Sequence, residues 1–232
     1  GEVENVSTRL KILAGQFDIA NFISEVKSEM YDQIAVQAKF KIKAVGRDFK
    51  NCLINGDESV NPKTFDGLKK LTVPEQTISA GANGNALSFA MLDELKDAVP
   101  LGADFLMMRS EMWRVIRELA RLQGGNTAEH IMVENFGMPM RFYDGMPVII
   151  NDYISKDEIQ GSSDKTTSIY AVRANEVDGF HGLWAGDAAG IRLEEVGLNF
   201  NKDSTRWRVK WYCGAALRAT HAVARLKGVL VP

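Results

Sequence analysis

Three histidines, His130, His181 and His221, are the side chains in this 232-residue chain best suited to move a proton near neutrality, and each stands apart from any partner motif. A base needs a nucleophile or a metal beside it. The chain has no HExxH, no GxSxG, no phosphate loop ending in GKS or GKT, and no GxGxxG following a strand. His181 is the best placed, inside Gly179-Phe180-His181-Gly182, where flanking glycines would let a backbone approach a ligand; a histidine in a tight turn accounts for the same residues. Asp57-Glu58, after Asn55-Gly56, clusters oxygens for a cation. It lacks the spaced carboxylates of a calcium loop and reads better as a solvated turn. Arg206, Arg208 and Lys210 interleave with Trp207, Trp211 and Tyr212, a composition that suits single-stranded nucleic acid. Strand alternation, however, sends Arg206, Arg208, Lys210 and Tyr212 one way and Trp207, Val209, Trp211 and Cys213 the other, so a buried tryptophan face and a solvated basic face is the expectation. Met108, Met112, Met132, Met138, Met140 and Met146 read as core filling, and Asn5-Val6-Ser7 as a chance sequon. The sequence thus nominates no catalytic, cofactor-binding or metal-ligating residue, no cofactor and no enzymatic activity. That points to a structural role.

Composition fits this. The chain is 45% hydrophobic and 25% charged, ordinary for a folded protein, and its formal charge of −2 argues against bulk binding to nucleic acid or an anionic membrane while leaving room for local basic patches. Its two cysteines, Cys52 and Cys213, form no CxxC and no framework, which makes a reduced intracellular setting the default and leaves their pairing open. No run of about 18 apolar residues and no basic-then-apolar leader is present, so neither a membrane span nor a signal peptide is expected.

The dominant element is an apolar stripe from Ile19 to Ile54: Ile19, Ile23, Val26, Met30, Ile34, Ala38, Ile42, Val45, Phe49 and Cys52 follow by threes and fours. Lys27, Asp32, Lys39, Lys43, Arg47 and Lys50 occupy the other side. One helix of about 50 Å is predicted, capped near Asp18, interrupted at Gly46 by a close packing contact or a weak point, and ended by Asn55-Gly56 because both residues tolerate a left-handed backbone. Before it, alternation from Val3 to about Gly15 fits a short strand. After it, residues 57 to 84 are rich in turn formers. Helices are predicted from about Ser88 to Val99 and, with Ser110 as N-cap, to Leu122 before Gly124-Gly125; Asp104–Met108 is of strand length. Short strands follow at Met140–Tyr143, Met146–Ile150 and Ser168–Val172, with a polar loop over Ser155–Thr167, and a clean strand at Arg206–Cys213. The Ala-rich tail from Gly214 to Gly228 is balanced between helix and strand. Helices first and strands later make an α+β chain.

The order of these segments resembles the tailed-phage major capsid proteins of the Hong Kong 97-like type. It begins with a long helix ending in Leu53-Ile54-Asn55-Gly56-Asp57 and a turn from Phe65 to Leu68. Leu92-Asp93-Glu94-Leu95, Ala103–Met108 before a helix, and Tyr143-Asp144-Gly145-Met146-Pro147-Val148 come next. Ile169-Tyr170, Gly190-Ile191 to Glu195, Asp203-x-x-Arg206 and Ala222-Val223-Ala224 close the series. No single motif is specific; their order and spacing across the chain carry the resemblance.

The resemblance implies a spine helix in a peripheral domain (19–75 plus 178–213) and an axial domain (76–177 plus 214–232), with 1–18 as a remnant of an extended loop in a truncated or N-terminally processed member. It favours strand for the tail. It implies a structural subunit of an icosahedral virus or prophage capsid, self-assembling into pentamers and hexamers around packaged double-stranded DNA that it does not read by sequence. Scaffold, portal and maturation protease would be partners, no membrane is involved, and the site would be the virion, assembled in the host cytoplasm. An encapsulin-like compartment shell shares the fold and is the alternative. A hydrolase built on His181 or Asp57, or a nucleic-acid module built on Arg206, Arg208 and Lys210, are the competing classes.

Overall fold

In the computed structural model, residues 7–22, 30–122, 124, 128–132, 139–186 and 190–232 are described. They form two compact units, one of residues 1–66 with 182–215 and one of residues 67–181 with 216–232.

The first unit is a helix on a sheet. Strand β1 (Lys11–Ala20) runs antiparallel to β11 (Ser204–Leu217), whose other side pairs with β10 (Ile191–Leu198); β9 (Phe180–Trp184) also pairs with β11. The predicted cap at Asp18 is therefore a strand residue, and Ile19 is not the first residue of a helix. Phe17 and Ile19 alternate with Gln16 and Asp18, and a ladder from Lys11↔Cys213 to Ala20↔Ser204 satisfies the backbone and buries both apolar side chains. Helix α1 is described over Met30–Asn55, 26 residues; the expectations for Ile23, Val26 and Lys27 fall outside the described residues.

Along α1 the inward positions are Ile34, Ala38, Val45 and Phe49, packed with Phe17, Ile19, Val209, Trp207 and Trp211, and Cys52 is buried further on. Ile42, expected in this stripe, is exposed. Lys41 takes the inward place, laying its stem over Gly15, where a Cβ would stand 3.4 Å from Lys41 Cδ. A long cationic side chain can cover apolar surface and still carry its charge outward, which pattern reading by residue type misses.

The helix ends for a different reason than predicted. Neither Asn55 nor Gly56 has a left-handed backbone. Gly56 donates its N–H to Cys52 O at 2.9 Å, and the returning chain passes so close that a Cβ there would lie 2.0 Å from Phe65 O. Close approach, not positive φ, requires the glycine. Gly46 is the reverse, with nothing within 4 Å of an added Cβ, so no packing contact explains it.

The second unit is a mixed eight-stranded sheet with helices against it. Its strands are β2 (Thr77–Ser79), β3 (Phe105–Met108), β4 (Ala128–Met132), β5 (Pro139–Tyr143), β6 (Met146–Ile150), β7 (Glu158–Gln160), β8 (Ser163–Val172) and β12 (Val223–Leu230). The order is β2-β12-β8-β3-β6-β5-β4 with β7 beside β8; β12 to β2 and β3 to β6 are parallel pairs, the rest antiparallel. After the single turn α2 (Leu68–Leu71) come α3 (Phe89–Asp97) and α4 (Ser110–Leu122). Their Leu92, Leu95, Met112, Trp113 and Ile116 join Leu106, Met108, Val148, Ile169 and Leu226 in one core. Met108, Met112 and Met146 fill that core as expected, Met140 is half-buried, and the side chains of Met132 and Met138 fall outside the described residues.

Ser88 caps α3, accepting from the Met91 N–H at 3.3 Å. At the start of α4 the Ser110 N–H donates to Asp152 Oδ1 at 2.9 Å, so one donor of that end is satisfied by a residue 42 positions away. Asp144 (φ 47°) and Gly145 (φ 75°) make the two-residue turn between β5 and β6. The predicted polar loop over Ser155–Thr167 is a hairpin of β7 and the start of β8 turning at Gly161. Thr166 and Thr167 are fully buried, and Thr166 Oγ1 donates to Glu158 O at 2.7 Å. The Ala-rich tail is strand: β11 runs to Leu217 and, after a short turn, β12 pairs with β8 and β2. Buried alanines here have sheet neighbours, which overrides helix propensity.

The two glycines of α1 make opposite predictions. Gly46→Ala should raise the unfolding free energy by about 0.5–1 kcal/mol, whereas Gly56→Ala should lower it by roughly 2 kcal/mol or more, because backbone must move. Urea unfolding of both variants checks this; two shifts of the same sign would refute it.

Candidate functional site

The sheet of the first unit has faces of different chemistry. Leu13, Gly15 and Phe17 pair across β11 with Trp211, Val209 and Trp207, and this side carries α1. Trp211 packs against Phe49 with centroids 4.6 Å apart and ring planes tilted by 39°, and its indole N–H is buried without a partner among the described residues. On the other side Asp18 accepts two bonds from Arg206, 2.8 and 3.0 Å, and Lys210 pairs with Glu194 at 2.7 Å. The basic face predicted from Arg206, Arg208 and Lys210 is thus largely neutralised across the sheet; Arg208 itself is exposed, in register with Glu194 and Gln16. The Arg206 guanidinium, helped by the Asn199 amide, holds the Asp18 carboxyl down at about 2.

The other residues singled out by type lie apart from one another among the described residues. The Asp57 carboxylate accepts from the Ser59 N–H and hydroxyl, the Glu58 N–H donates to Asp66, and Lys11 Nζ reaches Glu58 at 2.6 Å and Pro62 O at 2.9 Å. This is a self-satisfied turn locked by a lysine. His181 is half-buried, and its Nδ1 has no partner among the described residues. Next to it, Gly179 is pressed against the backbone of Arg173 and Asn175. His221 is exposed; the side chain of His130 and the sequon at Asn5 fall outside the described residues. Among the described residues no group of three or more His, Cys, Asp and Glu is placed to hold a metal. No helix described is long and apolar enough to cross a membrane. Cys52 and Cys213 are free and buried, and burial pushes both thiols up, Cys213 to about 12.

Two features escaped the sequence reading. In the second unit Arg225 grips Glu158 at 2.9 and 3.0 Å and donates to Ser168 Oγ at 2.9 Å, with Lys69 3.6 Å from the same carboxylate and the Tyr170 ring 5.8 Å below the guanidinium. Burial pushes the Tyr170 phenol well up. Nothing in the spacing of residues 158, 168 and 225 announces this network. The second feature is β10, whose Ile191, Leu193, Val196 and Leu198 are exposed, as is Phe200 in the turn beyond. Its mixed pattern carries no clean alternation to mark one face.

No family model and no curated protein matches the chain. Solved structures do. The SrpI encapsulin of Synechococcus elongatus PCC 7942, from a cryo-EM structure of the holo complex, superposes with a TM-score of 0.79 at 23% identity over 96% of this chain and 75% of that one. The capsid of an empty GTA particle superposes at 0.64, with 16% identity over 97% and 75%. The Gordonia phage Cozz structure superposes at 0.57, with 14% identity over 98% and 76%. The fold is the Hong Kong 97-like capsid fold. It accounts for the ordered segments that the sequence shows, and this α+β Hong Kong 97-like fold spans nearly the whole chain.

Two measurements test the polar framework. Glu158 and Arg225 side chains are 10% and 14% exposed, so Glu158→Ala leaves a guanidinium poorly solvated and should cost roughly 3 kcal/mol in chemical unfolding. Replacing both by leucine should recover part of it, and a silent single variant would contradict the network. Glu111, held down to about 2 by the Arg109 guanidinium, and Asp18 both have depressed carboxyls. Their stabilisation is complete above their ordinary values of 4.5 and 3.8 and is lost as pH falls toward 2. Melting temperatures across that window should fall, and less steeply in Glu111→Gln; equal slopes would refute the assignment.

Proposed function

We propose that this chain is a structural shell subunit that assembles with copies of itself, through pentamers and hexamers, into a closed icosahedral shell. The observation that supports the reading is the Hong Kong 97-like fold over nearly the whole chain, shared with capsid and encapsulin structures. A shell subunit needs surfaces that meet other copies rather than a reactive cleft, which suits the exposed apolar residues of β10 and the dispersed histidines. In this reading the unit that contains α1 is the peripheral domain, the other is the axial domain, and residues 1–18 belong to an extended loop.

Two contents are compatible with such a shell. In the virion reading it encloses double-stranded DNA without reading sequence, is built in the host cytoplasm, and works with scaffold, portal and maturation protease. In the encapsulin-like reading it is a cellular compartment around protein cargo. The higher TM-score and identity of the SrpI encapsulin, 0.79 and 23% against 0.64 and 16% for the GTA capsid, favour the second.

Electron microscopy of the concentrated protein, followed by analysis of nuclease-treated particles, tests both levels. Closed shells or capsomer rings are expected, and persistent monomers at every concentration and salt would overturn the shell reading. Nuclease-protected duplex DNA of uniform length would assign the virion; a stoichiometric protein cargo would assign the compartment.

A further inference from the structure

α1 runs along β11 in step with it, and two contacts fix the register between them. An added Cβ at Gly15, the β1 residue opposite Val209, would stand 3.9 Å from Val45 Cγ2. Four residues further along the helix Phe49 packs on Trp211, two residues further along the strand, with ring centroids 4.6 Å apart. A helix advances about 6 Å over four residues and a strand about 6.7 Å over two, so the two elements keep pace. The next inward position of α1 is Cys52, three residues on, and the next position on the same face of β11 is Cys213, two residues on. Both are buried and both are free. The register thus sets the chain's two cysteines toward each other at the end of the helix–sheet contact.

Electrostatics agrees with this placement. Burial is the leading cause that pushes the Cys213 thiol up to about 12, and the charge of Cys52 is the next. For Cys52 burial again leads, followed by the Asp48 carboxylate. A single buried cysteine serves a core as a small, inert hydrophobe. Two that face each other from different elements add a reaction, because each supplies what the other needs to be oxidised without a lasting adduct.

We propose that Cys52 and Cys213 are a redox-sensitive dithiol that closes to an intramolecular disulfide when a small-molecule disulfide oxidant is present, stapling the end of α1 to β11. The inference stands on the first unit alone and is independent of the shell reading. Cys52 attacks first: it is 7% exposed against 0% for Cys213, and it lies in the last turn of α1, where a helix opens most readily. Its thiol loses a proton, the thiolate bonds to one sulfur of glutathione disulfide, and the oxidant's S–S bond breaks to release a glutathione thiolate that takes up a proton. Cys213, deprotonated in turn, attacks the Cys52 sulfur and expels the second glutathione. Two electrons pass from the protein to the oxidant, leaving one protein disulfide and two glutathione thiols. Burial makes the exchange slow in the folded chain and keeps the thiols inert toward larger reagents. Once closed, the bond spans a loop of about 160 residues and stabilises by restricting the unfolded chain.

Equilibration of the full-length chain, purified with reductant, across a series of glutathione to glutathione disulfide ratios tests this, both in the folded protein and during refolding from urea. The expected product is a chain lighter by about 2 Da, with no thiol left to label in denaturant. It should melt about 5–15 °C above the reduced chain, and added reductant should reverse both changes. Cys52→Ser and Cys213→Ser should each gain nothing in melting temperature on oxidation. Glutathione should add faster to Cys213→Ser, which keeps Cys52, than to Cys52→Ser. A disulfide requires Cα atoms roughly 4.4–6.8 Å apart, so two thiols persisting in excess glutathione disulfide after both treatments would show that the elements do not meet there and would overturn the proposal. Disulfides formed only between chains, or a closed bond that leaves the melting temperature unchanged, would overturn it equally. Equal rates of glutathione addition to the two variants would overturn the order of attack.

Discussion

Burial of the apolar face of β11 is the constraint on which the first unit depends. That strand is 14 residues long and is hydrogen-bonded to β1 along ten of them, with β10 on its other side, so its backbone is satisfied within the sheet. Its side chains are not. Trp207, Val209 and Trp211 project to one side and need a cover, which among the described residues α1 supplies. Each apolar side chain so buried contributes about 1.5–3 kcal/mol. A helix of this length would be marginal alone, because most helical stability in proteins comes from packing one face. Helix and strand are therefore conditional on each other. The details follow: Gly15 makes room for the Lys41 stem, and Gly56 lets the chain return beneath the helix end through Phe65.

With that face occupied, polar residues are distributed by what remains. The opposite side of the sheet is wet and carries ion pairs, Asp18 with Arg206 and Glu194 with Lys210, which set cross-strand complementarity more than stability. The enclosed pair, Glu158 with Arg225, belongs to the second unit and is completed by Ser168, as a desolvated charge requires. Perturbed carboxyls in this protein are explained by the guanidinium each one holds, a structural cause.

Legibility in the sequence varied with how local the deciding physics was. α3 and the Asp144-Gly145 turn were readable because a cap, a proline stop or a two-residue turn acts within a few residues, and α4 because its apolar period from Met112 to Ile116 is local. The start of α1 was misread because Ile19, which stands at helical spacing before the stripe, belongs to the strand β1. The Ser155–Thr167 hairpin was hidden by its polarity, since Thr166 and Thr167 become buried only with Glu158 and β12 in place. The bond from the Ser110 N–H to Asp152 at the start of α4 had no local sign at all. Of the first unit's sheet, the opposition of charge and ring on β11 was legible; the neutralisation of that charge was not.

By itself the sequence determined the amphipathic period of α1, the alternation of β11, the α+β order of elements and the lack of any of the catalytic motifs sought, because each depends on spacing along the chain. Only the tertiary structure decided that Ile42 faces out while Lys41 faces in, that the Ala-rich tail is strand, and that Gly56 is required by Phe65. It also decided that Arg206 and Lys210 of β11 are paired with Asp18 and Glu194 across the sheet. These outcomes depend on residues distant in sequence competing for the same space or charge. No local pattern records that competition.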